Sequence, residues 1–522
     1  MLRADLFRSG TALILALTPL AARASSFVLN EQSVSGLGVA FAGGAAQAED
    51  PSTLFFNPAG IALLKQGEFQ IGANYIAPSA EFHNSGSQYA LPGTPLNGLP
   101  ISGGNGGENA AVPHVIPNFF LTQPVFHSRT YGDLAVGVGV SVPFGLETDY
   151  SSDWVGRYQS RRTKLTTFDI QPTVAYRIFD RLSFGVSFDA QRASARLTQA
   201  IDFGLIAQQP LAQFYNALPA ILAARRVPPA AIPGTIAATR QAYANAGFVP
   251  GGADGVSEIT GDDWSYGFTV GALFEYLKSD RNSSSFLQDG RVGLSYRSAI
   301  DHTLEGDAKF RAVPLITAPG APVQFPNPTA FQSVFFNQGG RADLALPDIF
   351  HFSAYQAFAR QFAVMGDITW TRWSRLQDVP IVFENPGTPS SVLNIRYRDA
   401  LRYAVGFEWY ATDRLTFRTG FAYDETPIRG PEFRTPRIPD NNRYFLSAGI
   451  RWSPTNYMDL DLGYAHLFVD DPEVNVVDTQ GHNLRGVYDA SVDIVSASVT
   501  FRWGGARETA SGYAKESKGY RK

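Results

Sequence analysis

Cysteine is missing from all 522 residues. That excludes a disulfide framework and any thiolate metal site, and it suits passage through an oxidising compartment. Charge is sparse: Asp, Glu, Lys and Arg make up 17% of the chain, against roughly 25% in an average soluble domain. The formal net charge is −4, so no basic excess points toward nucleic acid. Long apolar runs are also missing. The one near the start, Thr11 to Leu20, falls short of the about 20 residues that a spanning helix needs. The seven histidines, His83, His114, His127, His302, His351, His466 and His482, show no metal-ligand spacing such as H-E-x-x-H. Neither a G-x-S-x-G elbow nor a Walker loop is present. Gly137-Val138-Gly139 lies inside a strand pattern and reads as a packing or twist device. The expectation is a protein that is not an enzyme and needs no cofactor or metal.

What the chain does contain is glycine (49 residues), aromatics (13%) and alternation. Arg3 and Arg8 precede the short apolar run, and Ala22-Arg23-Ala24 follows it; residues 1–24 therefore read as a signal peptide. An exported chain without a spanning helix is either soluble or a barrel. From Arg414 to Asp424, Leu415, Phe417, Phe421 and Tyr423 share one face, and Arg414, Thr416, Arg418, Gly420 and Asp424 the other. Leu401, Tyr403, Val405, Phe407 and Trp409 oppose Arg402, Gly406 and Glu408 in the same way. Alternation suits a soluble sandwich as well as a membrane barrel. Length, number and connections separate them.

About fourteen such segments can be drawn, near 67–83, 114–126, 131–147, 163–178, 181–200, 263–277, 289–305, 342–357, 360–374, 396–411, 413–425, 442–453, 455–470 and 486–503, with ends good to about ±3 residues. Each reaches the ~9–11 residues of a tilted membrane strand, and an even number suits a bacterial barrel. Connections alternate between tight, as at Phe179-Asp180-Arg181 and Thr412-Asp413, and long, as at 201–262 and 306–341. The fold class expected is all-β: a membrane β-barrel of about fourteen antiparallel strands over 67–503, with residues 25–66 as an N-terminal hatch in the lumen. Residues 504–522 read as a polar tail. The linker 201–262 reads as two short helices in a partly helical outer loop. They form either a self-packed cap or an apolar landing surface; the two readings are compatible.

Specific residues then resemble one family. Phe27, Leu29-Asn30-Glu31, Gly36-Leu37-Gly38 and Asn57-Pro58-Ala59 near one end are similar to the start of the FadL family, outer-membrane transporters of long-chain fatty acids and other hydrophobic compounds. Near the other end stand Phe417-Arg418-Thr419-Gly420, Asp424, Pro427, Ile438-Pro439-Asp440 and Leu446-Ser447-Ala448-Gly449. The ordered set carries the resemblance; a lone Asn-Pro-Ala would not. It implies a barrel of that strand number around a hatch, in the outer membrane of a Gram-negative bacterium. It also implies a monomer, surrounded by outer-membrane lipid and inserted by the barrel-assembly machinery.

The family's third strand is kinked inward, and here the matching stretch is Pro143-Phe144-Gly145. Proline withholds a ladder N–H, and glycine marks bulges and bends. The stretch is therefore either a lateral gap or an ordinary bulge. Phe27 is implied to touch the ligand. Arg402 and Arg418, on polar strand faces, either steer a carboxylate or pair with Glu408, Asp424, Asp459 or Asp461. Long-chain fatty acid is the expected cargo; aromatic or aliphatic hydrocarbons come next. A structural, adhesive or porin-type barrel without selective cargo is the third reading. A fatty tail of about sixteen carbons, at ~0.8 kcal/mol per methylene, loses roughly 13 kcal/mol when exposed to water. Its route must therefore be apolar, with a movable part to release it.

Overall fold

The computed structural model describes residues 27–107, 109–128, 131–279 and 285–504. The expected signal peptide, and the expected tail beyond residue 504, lie outside the described residues. Fourteen strands close into one antiparallel barrel. They are β1 Gly67–Asn84, β2 His114–Ser128, β3 Gly132–Ser141 continued by Gly145–Asp149, β4 Arg162–Ile178 and β5 Leu182–Asp202. Next come β6 Asp254–Leu277, β7 Leu287–Arg297 with Ile300–Arg311, and β8 Gln338–Leu346 with Ile349–Phe358. Then follow β9 Phe362–Thr371 with Asp378–Phe383, and β10 Ser391–Asn394 with Ala400–Thr412. The last are β11 Leu415–Asp424, β12 Arg443–Thr455, β13 Met458–Val469 with Glu473–Val477, and β14 His482–Trp503. Each pairs with the next, and β14 returns to β1 from Gly67↔Trp503 to Asn84↔Gly486. The strand pairs thus run in a closed circuit, the arrangement a bilayer requires of a sheet.

The faces are inverted relative to a soluble protein. On β11 the outward Phe417 and Phe421 are 38% and 45% exposed, whereas the inward Arg418 and Asp424 are 4% and 3% exposed. Aromatic rungs run around the outside at two heights: Phe362, Trp409 and Phe417 pair laterally near the short turns, and Tyr403, Tyr423 and Tyr444 nearer the long loops. These match the girdles of a membrane barrel. At one short turn, Phe179 and Asp180 both have positive φ, 53° and 59°, the geometry of a tight hairpin that follows the strand twist.

At the long-loop end, α4 (Gln208–Ala224) and α5 (Ile232–Asn245) follow the short α3 (Phe203–Ile206). Leu211, Phe214, Leu218 and Tyr243 bury their side chains against one another and against Ile316 and Phe331 of the loop 312–337. The helices thus form the self-packed cap; their apolar faces are turned inward.

Residues 27–66 fold against the inward faces of the strands as α1 (Val34–Gly38), α2 (Thr53–Phe56) and a 3-10 turn, Pro58–Leu63. Ser33 caps α1 by accepting from Gly36 N–H at 3.0 Å. Asp50 ties the segment together and to the wall. Its carboxylate accepts from Ser35 Oγ (2.6 Å), Ser52 Oγ (2.5 Å), Ser52 N–H (3.0 Å) and Arg451 Nη2 of β12 (2.8 Å). Glu49 pairs with Arg451 and with Arg418 at 2.8 Å. On the opposite wall, Arg291 donates to Gln47 O and Ser295 to Phe56 O.

Burial alone would raise the Asp50 carboxyl. Arg451 and the two serines overcome this and hold it at about 2, against 3.8 in an unstructured chain. A depressed carboxylate adds stability above its unfolded value and loses it as pH falls through the folded one. The stabilisation, about 2 kcal/mol, should persist above pH 4 and disappear between pH 4 and pH 2. Hydrogen exchange of residues 33–56 against pH should show protection lost in that window in the native protein. In Asp50→Asn it should be low throughout.

Candidate functional site

The third strand breaks where proline and glycine suggested. β3 pairs with β2 from Ser128↔Gly132 up to Phe119↔Val140. Above that the ladder stops, and backbone pairing resumes around the Ala111↔Thr148 bridge. On the other side β3 stays with β4: Ser141 faces Asp169 and Gly145 faces Thr166. Four steps on β3 therefore oppose three on β4, which is a bulge of one residue. Phe144 N–H donates to Thr167 Oγ1 at 2.9 Å and stays tied to β4.

The groups that β2 no longer serves find partners in the N-terminal segment. Leu29 N–H donates to Pro143 O (2.8 Å), and Gly145 N–H donates to Phe27 O (3.1 Å). The Gln32 amide brackets Val142, donating to its carbonyl (2.7 Å) and accepting from its N–H (3.1 Å). Val28 and Phe144 form an antiparallel bridge. Residues 27–32 thus stand in for the missing stretch of β2, as the accounting of buried backbone groups demands.

This junction forms one wall of a mainly apolar cavity toward the long-loop end. Phe27, Leu146, Leu165, Leu304, Val379 and Ile395 line it. Phe27 is 4% exposed. Its ring lies 4.6 Å from Trp373 and 6.1 Å from Phe144, edge to face in both pairs.

Of the cationic lining groups, Lys164 and Arg341 reach solvent and Arg437 is buried. Arg437 comes from the loop 425–442, which folds into the barrel mouth, and is 3% exposed. It donates to Thr163 Oγ1 (3.0 Å) and Gln199 Oε1 (2.6 Å). Among the described residues no carboxylate forms an ion pair with it. Burial pushes it down to about 10, the signature of a charge whose desolvation is not offset. Removing one partner from a buried pair costs about 3–5 kcal/mol, so this cation is set to gain from an incoming anion.

The expected site residues divide into three groups. Phe27, Pro143, Phe144 and Gly145 come together at the junction. Asn57, Pro58 and Ala59 lie elsewhere, against β5 and β6. Asn57 Nδ2 donates to Ala45 O (2.7 Å) and Ala272 O (3.0 Å), and Oδ1 accepts from Ala59 N–H (3.0 Å). Arg402 and Arg418 are engaged by the protein. Arg402 donates to Ala40 O (2.7 Å) and pairs with Asp424 (3.6 Å). Arg418 pairs with Glu408 (2.6 Å), Asp461 (2.7 Å) and Glu49. Neither lines the cavity, so the pairing alternative describes both. Arg437 was not among the residues expected from the sequence. Its signal, in retrospect, is the run Arg434-Thr435-Pro436-Arg437 in a proline-rich loop.

Gly271 on β6 faces Asn57 so closely that an added Cβ would overlap Oδ1. Gly271→Ala should push the Asn-Pro-Ala turn off the wall while the ladders persist. Hydrogen exchange should then rise over residues 53–60 and not over β5 and β6. Unchanged protection of 53–60 would show that the turn does not depend on this approach.

Comparison with known proteins places the geometry in context. The sequence matches the family described as outer membrane protein transport protein (OMPP1/FadL/TodX) over residues 15–503. The long-chain fatty acid transport protein of Escherichia coli O6:H1 is 28% identical over 462 residues, 88% of this chain and 90% of that protein. A putative outer membrane protein of Neisseria meningitidis is 27% identical over 495 residues, 92% of this chain and 95% of that protein. A Pseudomonas aeruginosa FadL homologue shares the fold with a TM-score of 0.71 at 23% identity, covering 92% of this chain and 100% of that one. The Ralstonia pickettii toluene transporter TbuX gives a TM-score of 0.55 at 19% identity, covering 90% and 98%.

Proposed function

The chain belongs to the outer-membrane transport family OMPP1/FadL/TodX, and on that premise we propose that this transporter of hydrophobic compounds takes up long-chain fatty acids passively and releases them sideways at the β3 kink. The observation that carries the cargo is Arg437, a buried cation without an ion-pair partner among the described residues. It stands in the rim of a mainly apolar cavity whose other cationic lining groups, Lys164 and Arg341, reach solvent. A carboxylate there would restore the balance that burial upsets, and the tail would lie against Leu165, Leu304 and Ile395.

The proposed route follows from the junction. Phe27 belongs both to the cavity wall and, through its carbonyl, to the kink's hydrogen bonds. Cargo that displaces the Phe27 ring also loosens the partner of Gly145 and Pro143. The gap beside β2 then opens toward the bilayer, where the tail loses nothing by leaving. Residues 27–66 act in this reading as the hatch that keeps the lumen from being an open pore. A neutral aromatic cargo has one observation in its favour: the edge-to-face group of Phe27, Phe144 and Trp373 at the gap end of the cavity.

Arg437→Gln tests the cargo. A hydrogen bond to a charged group contributes about 1.5–3 kcal/mol, so oleate affinity of the purified barrel should fall about tenfold or more, with toluene affinity unchanged. Equal oleate affinity in the two proteins would remove the carboxylate reading. Toluene uptake without oleate uptake, in a Gram-negative host lacking its own such transporter, would move the cargo to hydrocarbons.

A further inference from the structure

Phe27 stands at the gap end of the cavity, and a break in the facing wall supplies what lies behind it. β9 leaves its ladders after Thr371, which pairs with Ile349 and Ala400, and rejoins β10 at Asp378↔Asn394. Residues Arg372 to Gln377 hold no place in either ladder. The facing stretch of β8 contains Pro347, which has no N–H to offer. The freed segment dips inward as a 3-10 turn, Trp373–Arg375. Trp373 and Leu376 are buried, whereas Arg372 and Arg375 are exposed, and Arg375 pairs with Asp301 of β7 at 3.3 Å.

Both neighbouring strands hold this turn in place. Arg372 N–H donates to Asp348 O (3.0 Å), between the two halves of β8. Between the halves of β10, Asp399 Oδ1 accepts from Ser374 N–H (3.0 Å), Tyr397 O accepts from Gln377 Nε2 (3.0 Å), and Tyr397 N–H donates to Leu376 O (3.1 Å). The Trp373 ring is wedged among three others: Phe27 at 4.6 Å, Tyr397 at 5.7 Å and Phe144 at 6.3 Å. Trp373 belongs to the wall, and Phe27 to the segment that leans on the kink. Of the two rings, Trp373 is the fixed one.

The reach of the cavity can be followed along β4. Arg437 bonds Thr163 Oγ1 at one end, and Phe144 N–H bonds Thr167 Oγ1 at the other. From Thr163 to Thr167 a strand advances about 13 Å. A cargo whose head is held at Arg437 therefore has its tail stopped at Phe27, and the indole behind Phe27 decides where that stop lies. Leu376 of the same turn lines the cavity. One inward turn of β9 thus supplies both a wall for the tail and the backing of its floor.

We propose that Trp373 is a positioning residue that sets the tail length the cavity accepts, by holding the Phe27 ring as its floor. This rests on the fatty-acid reading for the head group and extends it to the other end of the molecule. With the indole cut back, Phe27 can sink toward β9 and the cavity deepens, so longer tails are buried whole.

The test is the affinity of the purified full-length protein for saturated acids from decanoate to icosanoate, and for their methyl esters. In the native protein affinity should climb about fourfold per added methylene until the tail meets Phe27, and then level off. Trp373→Ala should move the levelling point to a longer acid, so that the longest acids gain about tenfold over the native protein. The preference for acid over ester should not change, because Arg437 is untouched. Phe27→Ala/Trp373→Ala should bind like Phe27→Ala alone. The same levelling point in native protein and folded Trp373→Ala would overturn the proposal, as would a further shift in the double variant, since Trp373 would then act without Phe27. Should Trp373→Ala not fold, Trp373→Phe should shift the levelling point less but in the same direction, and no shift there would overturn it equally. If native protein binds acids and esters alike, the carboxylate reading fails, and the levelling point of the esters still decides for or against Trp373.

Discussion

Four hydrogen bonds between residues 27–32 and the bulge at Val142–Gly145 hold together the rest of the structure. A strand within a bilayer cannot leave backbone groups unpaired, because no water is at hand to take them. Pro143 and the bulge take β3 out of register with β2, and the penalty falls on Val142, Pro143 and Gly145. The chain's own beginning meets it. That fixes where Phe27 stands, hence where the cavity ends. The other anchors of the segment, Glu49 and Asp50 on Arg418 and Arg451, keep its remainder against the far wall.

Anchoring is uneven around the lumen, and the unevenness has a direction. Ion pairs and hydrogen bonds bind residues 45–56 to β7, β11 and β12. Small-residue contacts, such as Gly271 against Asn57, seat the Asn-Pro-Ala turn on β5 and β6. The kink contact is of another kind: a short run of backbone bonds beside an apolar cavity. Of the three attachments it is the one that borders the cavity, through Phe27. On the proposed route, cargo competes with Phe27 for the cavity and thereby with the bonds that close the gap.

Much of the barrel was legible because lipid imposes period two on both faces of every strand. Within the bilayer, the expected segments match the strands to within a few residues, as at 163–178 against Arg162–Ile178. They fall short where strands rise out of the membrane. β6 begins at Asp254 and not near 263, and β9 runs on to Phe383. There the inward face is covered by the loops and carries small or polar residues, such as Gly255 under Phe203 and the buried Ser257, so the sequence Asp254-Gly255-Val256-Ser257-Glu258 alternates no longer. The kink was visible in Pro143 and Gly145, because these residues act through their own backbones. What satisfied it was not, because pairing over more than a hundred residues leaves no local mark. Arg402 and Arg418 drew attention by standing on polar faces, the very position in which the neighbouring strands supply carboxylates. Arg437 entered from a loop that folds into the lumen, and no periodicity announces that.

The absence of cysteine makes the central claim directly testable. Val28 and Phe144 are bridge partners, and opposed residues of an antiparallel pair lie about 4.5–5.5 Å apart at Cα, inside the range a disulfide spans. In Val28→Cys/Phe144→Cys, the decisive measurement is oleate uptake by surface-expressed protein, oxidised and then reduced, so that each sample is its own control. Coupled movement of the N-terminal segment and the kink predicts that oxidation stops uptake and reduction restores it. Equal uptake in the two states would contradict the account, since cargo would then pass with the junction locked shut.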